Sequence, residues 1–165
     1  MKKALVIIDV QKGFLGQHTK HLPLRIKRFI AQKGAGYDLI IFTQYRNHPK
    51  SNFVKQLGYR GFMRESEYDI VDELKEFVKK DNLFPKYTYS SFITKQLPHT
   101  LKKHNISEVH LCGIETENCV LTFARDAFDR GYKVVVFREL CGSYSNQNLR
   151  IPALQIIKDN IGEVR

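Results

Sequence analysis

Three side chains set far apart in the chain have the types that carry chemistry: an acid, Asp9, an amine, Lys86, and a thiol, Cys119. Cys119 ends the segment Gly113-Ile114-Glu115-Thr116-Glu117-Asn118-Cys119, just past the apolar run Val109-His110-Leu111-Cys112. That run reads as a buried strand, and Val120 to Arg130 has apolar residues at helical spacing. The cysteine thus lies where a strand hands over to a helix, near the helix's positive end, where a thiol ionises more easily. The thiolate is the nucleophile. Asp9 could take the thiol's proton and later return it to a leaving group. Lys86 could stabilise the thiolate and keep the aspartate oriented. Thr116 reads as the helix N-cap, which leaves the backbone N–H groups of Glu115 and Cys119 to bind an oxyanion. Alone, Cys119 reads equally well as a buried structural thiol. Asp9 and Lys86 at matching strand ends favour the nucleophile. Cys112 reads as core, and Cys141, beyond a fifth strand, as structural.

Strand and helix signals alternate along the chain and must position these groups. Ala4–Val10 is a near-continuous apolar run, as in a strand covered on both faces. Helical spacing predicts Pro23–Gly36, Tyr68–Lys80, Phe92–His104, Thr116–Arg130 and Gln147–Asn160. Pro98 could bend or split the third of these. Leu39–Thr43, Asn82–Pro85, Val109–Cys112 and Lys133–Phe137 read as strands, with a short sixth at Gly162–Arg165. The pattern predicts a three-layer α/β/α, Rossmann-like fold with a mostly parallel sheet of about five to six strands. Ligands bind beyond the carboxyl ends of such strands, and Asp9, Lys86 and Cys119 all follow strand ends. The irregular stretch from Gln44 to Glu67 exceeds usual loop lengths and reads as functional or as an oligomer contact, through exposed Phe53, Leu57, Tyr59 and Phe62.

The 165 residues suit a single domain, 1–165, with a full core. Hydrophobic residues make up 42%, and no run approaches a membrane span. The apolar N-terminal run is too short for a signal peptide and is interrupted by Asp9. Three sparse cysteines are no disulfide framework, and no Cys-x-x-Cys or paired-His spacing suggests zinc. A cytoplasmic location is therefore expected. The net charge of +10 is scattered over presumed helix faces, which reads as a solvated surface and not as a nucleic-acid footprint.

The chain resembles the isochorismatase-like cysteine hydrolases, the superfamily that includes nicotinamidases and other small amidohydrolases. The resemblance covers nearly the whole chain. It is carried by Ala4-Leu5-Val6-Ile7-Ile8-Asp9-Val10-Gln11 with Phe14, by Lys86-Tyr87-Thr88-Tyr89-Ser90-Ser91-Phe92, by Gly113-Ile114-Glu115-Thr116-Glu117-Asn118-Cys119-Val120, and by Ala124-Arg125-Asp126-Ala127-Phe128-Asp129-Arg130-Gly131-Tyr132. It implies the isochorismatase-like hydrolase fold, an Asp9-Lys86-Cys119 triad, a cis peptide at Ile114-Glu115, and hydrolysis of an amide-type C–N bond through a thioester. It also implies a homo-oligomer, a dimer or higher.

Nicotinamidases of this superfamily carry a metal on an Asp-x-His pair and a later histidine. Here the matching stretch, Thr43 to Phe53, has no aspartate and only His48. A lone histidine is no metal site. No metal and no cofactor are expected, and nicotinamide is disfavoured as substrate. Phe14, Gln44, Tyr45, Tyr87 and Tyr89 are the expected pocket residues, each also readable as core packing. Arg46, Arg60 and Arg64 could recognise a carboxylate, or could be salt-bridged surface groups. The expected function is a cysteine hydrolase acting on a small carboxamide or related amide; the alternative is a catalytically idle binding or scaffold subunit.

Overall fold

The apolar run Ala4–Ile8 is wholly buried and lies in the middle of the sheet as β1 (Lys2–Ile8). The computed structural model describes all 165 residues. The other strands are β2 (Leu39–Tyr45), β3 (Leu83–Lys86), β4 (Ile106–Ile114), β5 (Lys133–Gly142) and β6 (Glu163–Val164). They form one parallel sheet in the order β3-β2-β1-β4-β5-β6. The chain builds outward from β1 to β3, then crosses to the other side of β1 with β4. The sheet's switch point therefore falls between β1 and β4, where the carboxyl ends of neighbouring strands diverge and leave a crevice.

Alternation along β1 splits the core in two. Ala4, Val6 and Ile8 pack with Leu97 and Leu101 of α4 (Gln96–Lys103), Phe123 of α5 (Leu121–Asp129) and Leu154 and Ile157 of α6 (Arg150–Asn160). Leu5, Ile7 and Val10 pack with Leu22, Ile26 and Ile30 of α1 (Leu22–Lys33). Each fully buried aliphatic side chain contributes roughly 1.5–3 kcal/mol, so both faces are held by transfer from water.

Several expected elements are redrawn. The helix expected over Tyr68–Lys80 is a short α3 (Glu65–Tyr68) followed by a 3-10 segment, Asp72–Phe77. Between them the backbone pairs with the chain after β1: Lys12 N–H donates to Asp69 C=O, Val71 N–H donates to Val10 C=O, and Gln11 and Ile70 form an antiparallel bridge. Groups used in that pairing are lost to a helix. The stretch Gln44–Glu67 is not wholly irregular, since it holds α2 (Asn52–Leu57), capped by the Ser51 hydroxyl accepting from Val54 N–H. The helix expected from Phe92 begins at Gln96, and Pro98 does not split it. The proline stands third in the helix, where an N–H has no intrahelical partner to lose. Strand β5 runs on to Gly142, which puts Cys141 inside the sheet opposite Gly113, 2% exposed.

Candidate active site

Asp9 leaves the end of β1 with φ +50 and is fully buried. Its Oδ1 accepts from the Thr43 hydroxyl at 2.6 Å, and the Asp9 N–H donates to Thr43 Oγ1 at 3.2 Å, so β2 fixes the carboxylate. Lys86, the last residue of β3, is 1% exposed. Its Nζ stands 2.8 Å from Asp9 Oδ2, donates to Cys119 Sγ at 3.2 Å, and donates to the carbonyls of Thr88 and Tyr89 at 3.0 and 3.1 Å. Asp9 Oδ2 is close to the ammonium but accepts no aligned hydrogen bond. That oxygen is free to take a thiol proton. Removing either charge would leave the other buried and unpaired, at about 3–5 kcal/mol.

The loop that offers those carbonyls is tied to α5. Ser90 Oγ donates to Asp126 Oδ2 at 2.5 Å, Phe92 N–H donates to Ser90 Oγ, and Asp126 pairs with Arg130. The segments 86–92 and 124–132 are thereby one mechanical unit. Gln11 does the same for β2: its amide nitrogen donates to Tyr45 and Tyr68 carbonyls, and its oxygen accepts from Tyr45 N–H.

Gly113 has φ +128, and a Cβ there would sit 2.0 Å from Ile8 C=O. Only glycine lets β4 lie so close to the end of β1. The Ile114–Glu115 peptide that follows is cis. Thr116–Val120 is a π-type turn leading into α5, not the first turn of a regular helix. Glu115, not Thr116, holds the N-cap position, and Thr116 Oγ1 is buried with no hydrogen-bond partner, so Thr116 does not cap. The N–H groups of Asn118 and Val120 both donate to Glu115 C=O, whereas Glu115 N–H donates to no protein acceptor.

Cys119 is 8% exposed and opens on a cavity of about 320 Å³. Burial pushes its thiol up to about 12; the Lys86 charge pulls it down, and Asp9 adds to the rise. The easy ionisation expected from the helix end is thus overturned by desolvation. Burial works against the Lys86 ammonium, but Asp9 and Cys119 outweigh it and raise its pKa. The resting cluster is a thiol beside an ion pair.

Of the expected pocket residues, Phe14, Tyr45 and Tyr89 line the cavity. Gln44 does not: it is 2% exposed, with its amide on Tyr68 C=O and Arg46 Nε. Tyr87 points away, 53% exposed and edge-on to His48. Phe53, Leu57 and Tyr59, from the stretch read as functional or as an oligomer contact, also line the cavity, while Phe62, expected to be exposed, is 3% exposed against Phe14, ring centroids 4.1 Å apart. Asn118, Tyr144 and Ser145 also line it. Only their place after β4 and β5 in the chain could have pointed to them. Arg46 lies over the Tyr68 ring at 4.5 Å, and neither it nor Arg60 or Arg64 reaches the cavity. His48 is exposed, and no three His, Cys, Asp or Glu side chains gather anywhere, so the residues present do not make the metal site of the nicotinamidases.

A family model described as the isochorismatase domain matches residues 3–165. An uncharacterized isochorismatase family protein of Bacillus subtilis (strain 168) is 27% identical over 98% of this chain and 97% of its own. The ureidoacrylate amidohydrolase RutB of Stutzerimonas stutzeri (strain A1501) is 38% identical over 82% of this chain and 68% of its own. The crystal structure of nicotinamidase PncA from Bacillus subtilis superposes with a TM-score of 0.86 at 22% identity, covering 99% of both chains.

Proposed function

The chain belongs to the isochorismatase family of hydrolases, and on that premise we propose that it hydrolyses a small carboxamide or related amide with Cys119 as nucleophile, Asp9 as base and acid, and Lys86 as the fixed cation. The observation that carries this reading is the contact chain from Cys119 Sγ to Lys86 Nζ (3.2 Å) to Asp9 Oδ2 (2.8 Å), at the floor of a cavity. The amidohydrolase and nicotinamidase named among the relatives and neighbours support the same C–N chemistry.

The raised thiol pKa sets the order of events. Sulfur keeps its proton until substrate arrives, then passes it to Asp9 as the S–C bond forms. The carbonyl oxygen becomes an oxyanion held by the backbone N–H groups of Glu115 and Cys119, a type of contact worth about 3 kcal/mol. Asp9 returns the proton to the amide nitrogen, the C–N bond breaks, and ammonia or an amine leaves a thioester. Water attacks the thioester with Asp9 taking its proton. The S–C bond breaks, the acid departs, and the proton returns to sulfur.

Ammonia release from a panel of primary carboxamides tests the reading. Wild type should release it, and Cys119→Ala should lose at least about 10⁴-fold in rate. An acyl adduct on Cys119 in the mass spectrum of a quenched reaction is the second expected result. Unchanged release in Cys119→Ala would overturn the role given to the thiol. No release from any amide, and no adduct, would favour an idle binding subunit.

A further inference from the structure

The cavity over Cys119 presents an acidic side chain that no cation pairs. Glu115 lines it at 7% exposure. Its Oε1 accepts from Ser145 N–H at 2.6 Å and its Oε2 from the Asn118 amide at 2.9 Å. Both donors are neutral. No ion pair reaches Glu115, and Lys86 is committed to Asp9. No lysine or arginine lines the cavity, although the chain as a whole carries a net charge of +10. A buried carboxylate without a cation is costly, and a fold rich in basic residues has not supplied one here.

The rest of the wall is aromatic, and its geometry is not that of a flat slot. Phe53 meets Tyr89 edge-on, centroids 4.8 Å apart at 67°, and meets Tyr45 at 5.1 Å and 65°. In each edge-on pair the edge of one ring covers one face of the other, and the faces left free, each the negative side of its quadrupole, point in different directions. A flat neutral ring stacks best between parallel faces; a rounded cation is held best by faces set at angles around it. Tyr45 adds an unspent polar group: it is 4% exposed, and its hydroxyl has no hydrogen-bond partner. Burial foremost, then the neighbouring Tyr59 and Cys119, keep the proton on that oxygen.

We propose that the cavity takes a cationic amide: a small carboxamide whose acyl part carries an alkylated ammonium, seated among the faces of Phe53, Tyr59 and Tyr89 with Glu115 as its counter-ion. The amide end meets Cys119, with the Tyr45 hydroxyl beside it. An alkylated ammonium fits better than a compact one because its hydration is weak, so rings can replace the water it loses. The inference rests on the amide-hydrolase reading, and its chemical step is the one written above.

A shape-matched pair of probes tests it. Betaine amide (2-trimethylammonioacetamide) carries the charge, and 3,3-dimethylbutanamide replaces the charged nitrogen with carbon. Binding is measured by calorimetry on Cys119→Ala, and turnover by ammonia release from wild type. The cation should bind at least about tenfold more tightly than its neutral isostere and show the higher kcat/KM. Glu115→Gln should bring the binding ratio within about threefold. Tyr89→Leu, a change at a rim residue 41% exposed, should weaken the cation more than the isostere, and keeps the test open if the Glu115 variant does not fold. Equal or tighter binding of the isostere, or a ratio unmoved by both variants, would overturn the proposal. Selective cation binding with no ammonia release from either probe or from the carboxamide panel would overturn the hydrolase reading and leave the cation site standing. Hydrolysis of the isostere ahead of the cation would do the reverse.

Discussion

Cys119 shows how burial outranks a local dipole. A helix end offers a thiolate a stabilisation of a few tenths to about 1 kcal/mol, while removal from water at 8% exposure opposes the charge more strongly and lifts the pKa to about 12. Iodoacetamide alkylation reads this directly, since only the thiolate reacts. The rate at Cys119 should climb about tenfold per pH unit from pH 7 to 10 without levelling off. A plateau below pH 8 would show a depressed pKa and sink the neutral-thiol resting state. Cys112 and Cys141, 0% and 2% exposed, should stay unmodified in the folded protein. The sequence told the three thiols apart by position, correctly setting Cys119 against an acid and an amine. It misjudged the sign of the shift because desolvation is a property of surroundings that no local segment contains.

At the scale of elements, the site depends on strand ends held closer than side chains normally permit. β4 passes β1 at Gly113, where a Cβ would stand 2.0 Å from Ile8 C=O. Gly113→Ala must push the two strands apart or strain φ +128 further, and should cost on the order of 3 kcal/mol. The displacement falls between Asp9 and Glu115, so activity should drop with stability; urea unfolding and ammonia release on the same sample measure both. Near-wild-type stability would show that β4 has room to move. The strands were legible from their apolar runs, since burial on both faces leaves a continuous pattern. The segment after α3 was not. Ile70, Val71, Leu74, Phe77 and Val78 have helical spacing, yet the backbone of residues 69–71 pairs with residues 10–12. Periodicity reports which side chains face the core and is silent about where the backbone donors go.

The whole molecule carries a second buried titrating pair, outside the cavity lining. His110 of β4 is 5% exposed; its Nε2 faces Glu108 at 2.5 Å and its Nδ1 accepts from the Tyr37 hydroxyl at 2.8 Å. Burial holds the His110 pKa below its ordinary value, helped by Lys3 and Arg165 against the pull of Glu108. Above about pH 6.5 both folded and unfolded chains carry a neutral ring. Below it the unfolded chain gains a proton that the folded one resists, so stability falls as the pH drops. Glu108, held low first by its hydrogen bond to His110, adds a further loss once ordinary carboxylates protonate, below about pH 4.5. The melting temperature should therefore fall between pH 7 and 5, and His110→Gln should flatten that part of the curve. A melting temperature that rises on acidification would sink this account. The sequence by itself determined the sheet, its layers and the three chemical groups at strand ends, because strand patterning and topology are written in residue order. Tertiary structure alone decided which side chains wall the cavity, that Gln44 and Tyr87 do not, that Glu115 faces it without a cation, and that the thiol rests neutral. Each of these depends on distances between segments far apart in the chain and on the water that packing excludes, and neither is encoded in any one stretch.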